Sequence, residues 1–148
     1  MSLQKQVMDK MKEAMKSKDT VALTALRALK SAFMLANTEA GSGELSEADE
    51  LKIIQKQVKQ RKDSAAVFSE QGRADLAEPE LAEAAVLEQF LPEALSEEEI
   101  ALVVNETIAK VGAEGMKDMG KVMGMVSKKL AGKADGKTIS SIVRAALV

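Results

Sequence analysis

The 148 residues include no Cys and no His, and aromatic side chains make up 2 %, all of them Phe. This excludes disulfides, thiolate metal sites and the commonest general base, and it leaves a core of Leu, Ile, Val, Ala and Met. The formal charge of −2 conceals segregation: residues 1–39 carry 7 basic and 4 acidic groups, residues 40–109 carry 6 and 16, and residues 110–148 carry 8 and 3. Asymmetry of this kind concerns partners more than fold.

Ala, Leu, Met, Lys, Glu and Gln dominate, and all are strong helix formers, so the fold class expected is all-α with about seven helices. The first helix is expected over Leu3 to Lys16, with Val7, Met11, Ala14 and Met15 inward. Asp19 has the chemistry of an N-cap. It opens a second helix to about Asn37, on which Leu23, Leu26, Leu29, Phe33 and Ala36 recur at helical spacing. Ala40-Gly41-Ser42-Gly43 reads as a turn. Ser46 with Asp49 resembles a capping box opening a long third helix that ends at Gly72. Its stripe is Leu51, Ile54, Val58, Ala65 and Phe68, with Arg61 where an apolar residue is expected.

A fourth helix is expected from Asp75 or Glu78, with Pro79 in its first turn. It continues through Leu81, Ala84, Ala85 and Leu87 to Phe90. Leu91-Pro92-Glu93-Ala94-Leu95 is the expected connector, because Pro92 disfavours helix in the residue before it. Two small helical domains follow from this, 1–91 and 96–148. Ser96 and Glu99 form a second capping box, and Ile100, Val103, Val104, Thr107, Ile108 and Val111 line the fifth helix. The sixth is expected over Lys117 to Ala131. Asp135 should cap the seventh, which carries Ile139, Ile142, Val143 and Leu147.

The segment from Gly115 to Ala146 holds five glycines and seven basic residues in a helical pattern. On the sixth helix Met119, Val122, Met123, Val126 and Leu130 form an apolar face. Gly120, Gly124, Ser127 and Ala131 make a stripe of small residues beside it, and Lys117, Lys121 and Lys128 a basic stripe beside that. Interior helix glycine costs roughly 1 kcal/mol relative to alanine, so two on one stripe suggest that something comes close to that backbone. With Lys129, Lys133 and Lys137, and with Gly132 and Gly136 permitting close approach, the set suits a phosphate backbone. The last helix N-terminus adds its own preference for anions. The same pattern equally admits another protein helix against the small stripe, with Met125 beside it and the lysines merely solvated.

Arg61 on an apolar stripe implies an ion pair, with Glu88 or Asp75 as candidate partners, or else a ligand groove. Glu97-Glu98-Glu99 is what the helix macrodipole favours in a first turn and needs no cation. No catalytic residue, metal site or cofactor is expected. No aromatic platform exists for stacking bases, so any nucleic acid would be held by shape and phosphate contact. No apolar run approaches the ~20 residues that cross a bilayer, and the first residues lack a signal-peptide core, so no membrane partner and a cytoplasmic location are expected.

Gln60-Arg61-Lys62-Asp63-Ser64, Leu91-Pro92-Glu93-Ala94-Leu95-Ser96-Glu97-Glu98-Glu99-Ile100, Asp118-Met119-Gly120-Lys121-Val122-Met123-Gly124 and Gly132-Lys133-Ala134-Asp135-Gly136 together resemble the GatB/YqeY family. The resemblance covers essentially the whole chain and is most specific in the last fifty residues. It implies two helical domains, the second similar to the tail of the B subunit of aspartyl/glutamyl-tRNA amidotransferase, where such a tail contacts tRNA. The kinase-like portion of that subunit and the amidase serine–lysine region have no counterpart here. The resemblance to a glutamine-dependent carbon–nitrogen ligase therefore carries no ligase activity with it. The expectation is a non-catalytic accessory protein that binds tRNA or another structured RNA. The alternative is a protein–protein adaptor.

Overall fold

The computed structural model describes residues 2–39, 41 and 45–148. Among them are seven α-helices and one 3₁₀ turn, and no strand. The helices gather into two compact units, Met1–Leu91 and Pro92–Val148, each with its own apolar core.

In the first unit, α1 spans Leu3–Ser17 and buries Leu3, Val7, Met11 and Ala14. Met15 was expected to join them but is 53 % exposed, because it lies to the flank of the stripe. Asp19 caps α2, Thr20–Glu39: its Oδ1 accepts from the Ala22 N–H at 3.0 Å. Leu26, Leu29 and Phe33 are buried there, together with Ala22 and Ala25. The turn expected at Ala40–Gly43 lies outside the described residues except for Gly41. The capping box at Ser46 and Asp49 is formed in full and starts α3, Glu47–Glu70. Gly72, with φ of 72°, turns the chain into α4, Ala74–Glu88.

Two expectations for α4 fail. Pro79 stands well inside the helix rather than in its first turn. Proline there removes one backbone hydrogen bond, and the burial of Ala77, Ala84 and Leu87 outweighs that loss. Those residues also displace Leu81 and Ala85 from the core face, leaving Leu81 50 % exposed. A residue that periodicity does not single out is Glu50. It is buried, and its carboxylate accepts from the Gln4 N–H at 3.2 Å, in the first turn of α1. An acidic group is favoured at a helix N-terminus, where N–H groups lack intrahelical partners.

The second unit is built from α5 (Glu97–Val111), the 3₁₀ turn Met116–Asp118, α6 (Met119–Lys129) and α7 (Gly136–Leu147). Ser96 accepts from the Glu99 N–H, and Gly112 closes α5 in the left-handed region at φ 67°. Asp135 Oδ1 accepts from the Thr138 N–H at 2.6 Å and starts α7. Ile100, Val104, Val122, Val126, Leu130, Ile139, Val143 and Leu147 make the core, so all three helices contribute. The Leu95 N–H donates to the Lys133 carbonyl at 2.9 Å, which ties the segment before α5 to the α6–α7 loop. No helix among the described residues is long and apolar enough to cross a membrane.

Candidate nucleic-acid interface

Helix α6 begins at Met119, later than the expected Lys117, and ends at Lys129, before Ala131. The apolar face is as expected: Val122, Val126 and Leu130 are buried, with Met119 and Met123 packed against them. At 100° per residue the direction opposite Val122 and Val126 is occupied by Gly124. Lys121 and Lys128 lie on one side of it, a helical distance of about 10 Å apart. Gly120 lies on the other side, beside half-buried Ser127.

Gly120 and Gly124 are both exposed, and a Cβ added at either would meet nothing within 4 Å. No helix of this unit uses the space, so packing within the unit does not account for them. α6 carries no acidic residue, and among the described residues no ion pair engages Lys121, Lys128 or Lys129. The macrodipole alone explains basic residues in a last turn, as at Lys128 and Lys129. It does not explain Lys121, which sits in the first turn.

The remaining candidates are distributed differently. Lys117 lies in the 3₁₀ turn and approaches the Glu114 carboxylate at 3.9 Å, off the α6 stripe. Gly132 is buried with φ of 80°. It serves the turn between α6 and α7, which needs the left-handed conformation, and permits no external approach. Gly136 is exposed at the start of α7, and Lys133 is exposed in the loop. Lys137 lines an open groove of about 570 Å³ between α5 and α7, together with Glu97, Asn105, Ser141 and Ile142. α6 contributes no residue to that groove. The ten candidate positions thus resolve into five on α6, Lys117 in the 3₁₀ turn, the loop pair Gly132 and Lys133, Gly136 at the start of α7 and the groove residue Lys137. The groove was not foreseen, because its wall of Ala101, Ala145 and Ala146 carries no distinctive spacing.

Arg61 is enclosed elsewhere, in the first unit. Its Nε stands 3.3 Å from Glu83 Oε2, with both side chains 16 % exposed. The expected partners are otherwise engaged: Glu88 pairs with Lys62 at 2.6 Å and Asp75 with Arg73 at 3.0 Å. Asp75 sits at the tip of the α3–α4 hairpin, about 14 Å along α3 from Arg61, which puts it out of reach. The buried Nε–H has no hydrogen-bond acceptor, so Arg61 and Glu83 attract as charges without a directed bond. Burial raises the Glu83 carboxyl above its ordinary value, with a contribution from neighbouring Glu80, and Arg61 offsets this only in part. No group of three or more potential metal ligands occurs among the described residues.

Residues 4–147 match the model of the Yqey-like protein family. The chain is also 40 % identical over 70 residues to the E subunit of the glutamyl-tRNA(Gln) amidotransferase of Thermococcus gammatolerans, covering 45 % of this chain and 11 % of that protein. It is 37 % identical over 91 residues to altered inheritance of mitochondria protein 41, mitochondrial, of Clavispora lusitaniae, covering 60 % of this chain and 52 % of that protein. The chain therefore spans about a tenth of the first relative and about half of the second. With nearly every residue inside the matched range, the chain belongs to the Yqey-like protein family.

Proposed function

We propose that this protein is a non-catalytic accessory factor that binds tRNA or another structured RNA through the outer face of α6, in the cytoplasm. The observation that carries this reading is Gly124 on the outermost line of α6 with open space beyond it, flanked by Lys121 and Lys128. Each interior glycine weakens the helix, and nothing within the unit requires it. A ligand backbone that lies close against the helix would. Unpaired lysines beside the gap favour an anionic backbone, and the absence of stacking aromatics favours shape over sequence. The naming of one relative as part of a glutamyl-tRNA amidotransferase supports tRNA as the RNA to test first.

The test is a tRNA gel-shift titration across salt concentrations. Three phosphate contacts from Lys121, Lys128 and Lys129 give a log–log slope of about −2.7 on duplex RNA, taking the duplex value per contact. Lys121→Glu with Lys128→Glu should abolish the shift while leaving the melting temperature unchanged, since both side chains are exposed. No shift by the wild-type protein at low salt would remove the RNA reading. The second reading is a protein adaptor, supported by Met125, 39 % exposed on the same helix. It expects Gly124→Leu to block the partner and the lysine reversals to matter little.

A further inference from the structure

The hairpin of α1 and α2 carries a second surface, independent of α6. The Asn37 Nδ2 amide donates to Gln4 Oε1 at 3.2 Å, which establishes the flank of α1 that lies beside α2. At 100° per residue Met8, Met15, Lys5, Lys12 and Lys16 share or adjoin the Gln4 flank of α1. On α2 the Asn37 flank continues through Lys30, Met34 and Arg27. The helices run antiparallel, so Met8 falls level with Met34 and Met15 level with Arg27. Met8, Met15 and Met34 are 37 %, 53 % and 60 % exposed. Lys5, Lys12, Lys16 and Arg27 are exposed and Lys30 half-buried, and among the described residues no ion pair engages any of them.

Of the acidic groups of α1, Asp9 is on the outer face, about 20° beyond Lys16, and Glu13 is on the other flank. Glu13 pairs there with Lys10 at 3.1 Å, and Asp9 lines a small hollow with Gln6, Gln89 and Phe90. From Gln4 round to Lys16 on α1, and along the Asn37 flank of α2, there is no carboxylate. The seam is thus a run of flexible thioethers edged by five cations.

We propose that the α1–α2 seam is a docking surface for an amphipathic helix with an acidic polar face, supplied by a partner protein. The charge is complementary to glutamate or aspartate side chains along such a helix, and the basic stems cover apolar surface while their heads stay in water. Methionine is the side chain that best adapts to a partner's apolar stripe. A phosphate backbone gains nothing from three thioethers placed between the cations, so the mixed apolar and basic character selects a helix over RNA.

The methionines are themselves the reporters. Protein labelled with ¹³C in its methionine methyl groups is titrated with a synthetic amphipathic helix of about four turns, made of Leu, Ala and Glu. The Met8, Met15 and Met34 signals should shift together and saturate, while those of Met123 and Met125 on α6 stay in place. The affinity should fall with added salt, and the same peptide with Lys in place of Glu should not bind. Lys12→Glu with Met34→Gln should weaken binding about tenfold with unchanged melting, since both side chains are solvent-facing. Absence of a saturable shift at peptide concentrations of about 1 mM would overturn the proposal. So would tRNA or phosphatidylglycerol vesicles moving these three signals where the peptide does not. Because α6 is read separately in the same spectra, failure here leaves the RNA reading untouched, and the reverse.

Discussion

Replacing Gly124 by Ala should make the protein more stable and make it bind tRNA less well. The first half follows from geometry. Gly124 is the sixth residue of α6, inside the helix, and an added Cβ meets nothing within 4 Å. The substitution therefore costs no packing and gains the helix preference of Ala, about 1 kcal/mol. Gly120 is the second residue of α6, where the first turn demands less, so Gly120→Ala should add roughly 0.5 kcal/mol. For a unit of this size the pair should raise the melting temperature of the second unit by about 6–12 °C. With no Trp or Tyr, far-ultraviolet circular dichroism is the probe of choice. The second half follows from the proposed function. If phosphate or sugar atoms lie against the α6 backbone, even one methyl group at Gly124 should weaken tRNA binding severalfold, although the lysines are intact. A stabilised variant that binds tRNA as well as wild type would show that the glycines do not serve close approach. A destabilised Gly124→Ala would show that the space is not open and would refute the reasoning at its first step.

Three further outcomes test the architecture. Arg61→Ala should lower stability by about 1–3 kcal/mol, measured by urea unfolding, because it strips the largest favourable influence from a desolvated carboxylate and removes a packed stem. Glu83→Gln should leave stability at neutral pH equal to or above wild type. Its carboxyl is raised in the folded state, so its contribution is fully present below the ordinary value of 4.5 and is lost as pH rises through the folded one. A large loss in Glu83→Gln at pH 7 would mean that the ion pair outweighs its desolvation. Asp135→Ala should cost about 1 kcal/mol by removing the cap bond to the Thr138 N–H, with the loss of helix signal confined to the second unit.

Elements with a strong 3.6-residue period were legible without coordinates. Leu26, Leu29 and Phe33, or Val122, Val126 and Leu130, sit where spacing places them. Caps were legible too, because Asp19, Ser46, Ser96 and Asp135 need only a residue type and a neighbour three positions on. What escaped depends on groups distant in sequence. Glu50 is buried because its partner is a backbone N–H in another helix, 46 residues away. Pro79 inside α4 reflects tertiary packing overriding a local preference, and that packing in turn exposes Leu81. Arg61 was recognisable as misplaced, but the register of α4 against α3 decides that Glu83, not Glu88, faces it.

The α6 region shows why charge and glycine content must be separated before either is read as function. Five glycines between Gly115 and Ala146 look alike in the sequence. Gly132 is explained by a positive φ in a buried turn, and its retention in any variant would reflect backbone geometry alone. Gly124 has no such explanation: its backbone is helical, its surroundings are open, and its cost falls on the unit's own stability. Likewise Lys128 and Lys129 are what any helix C-terminus accepts, whereas Lys121 works against the macrodipole from the first turn. The residues that oppose local stability, Gly120, Lys121 and Gly124, are therefore the ones on which the RNA proposal rests. They lie within one and a half turns of each other. If α6 served only to complete the three-helix core, alanines at the glycines and an acidic group at position 121 would do so better. Lys121→Glu should accordingly be neutral or slightly stabilising to the fold, and a loss of tRNA binding in that variant could not be blamed on unfolding.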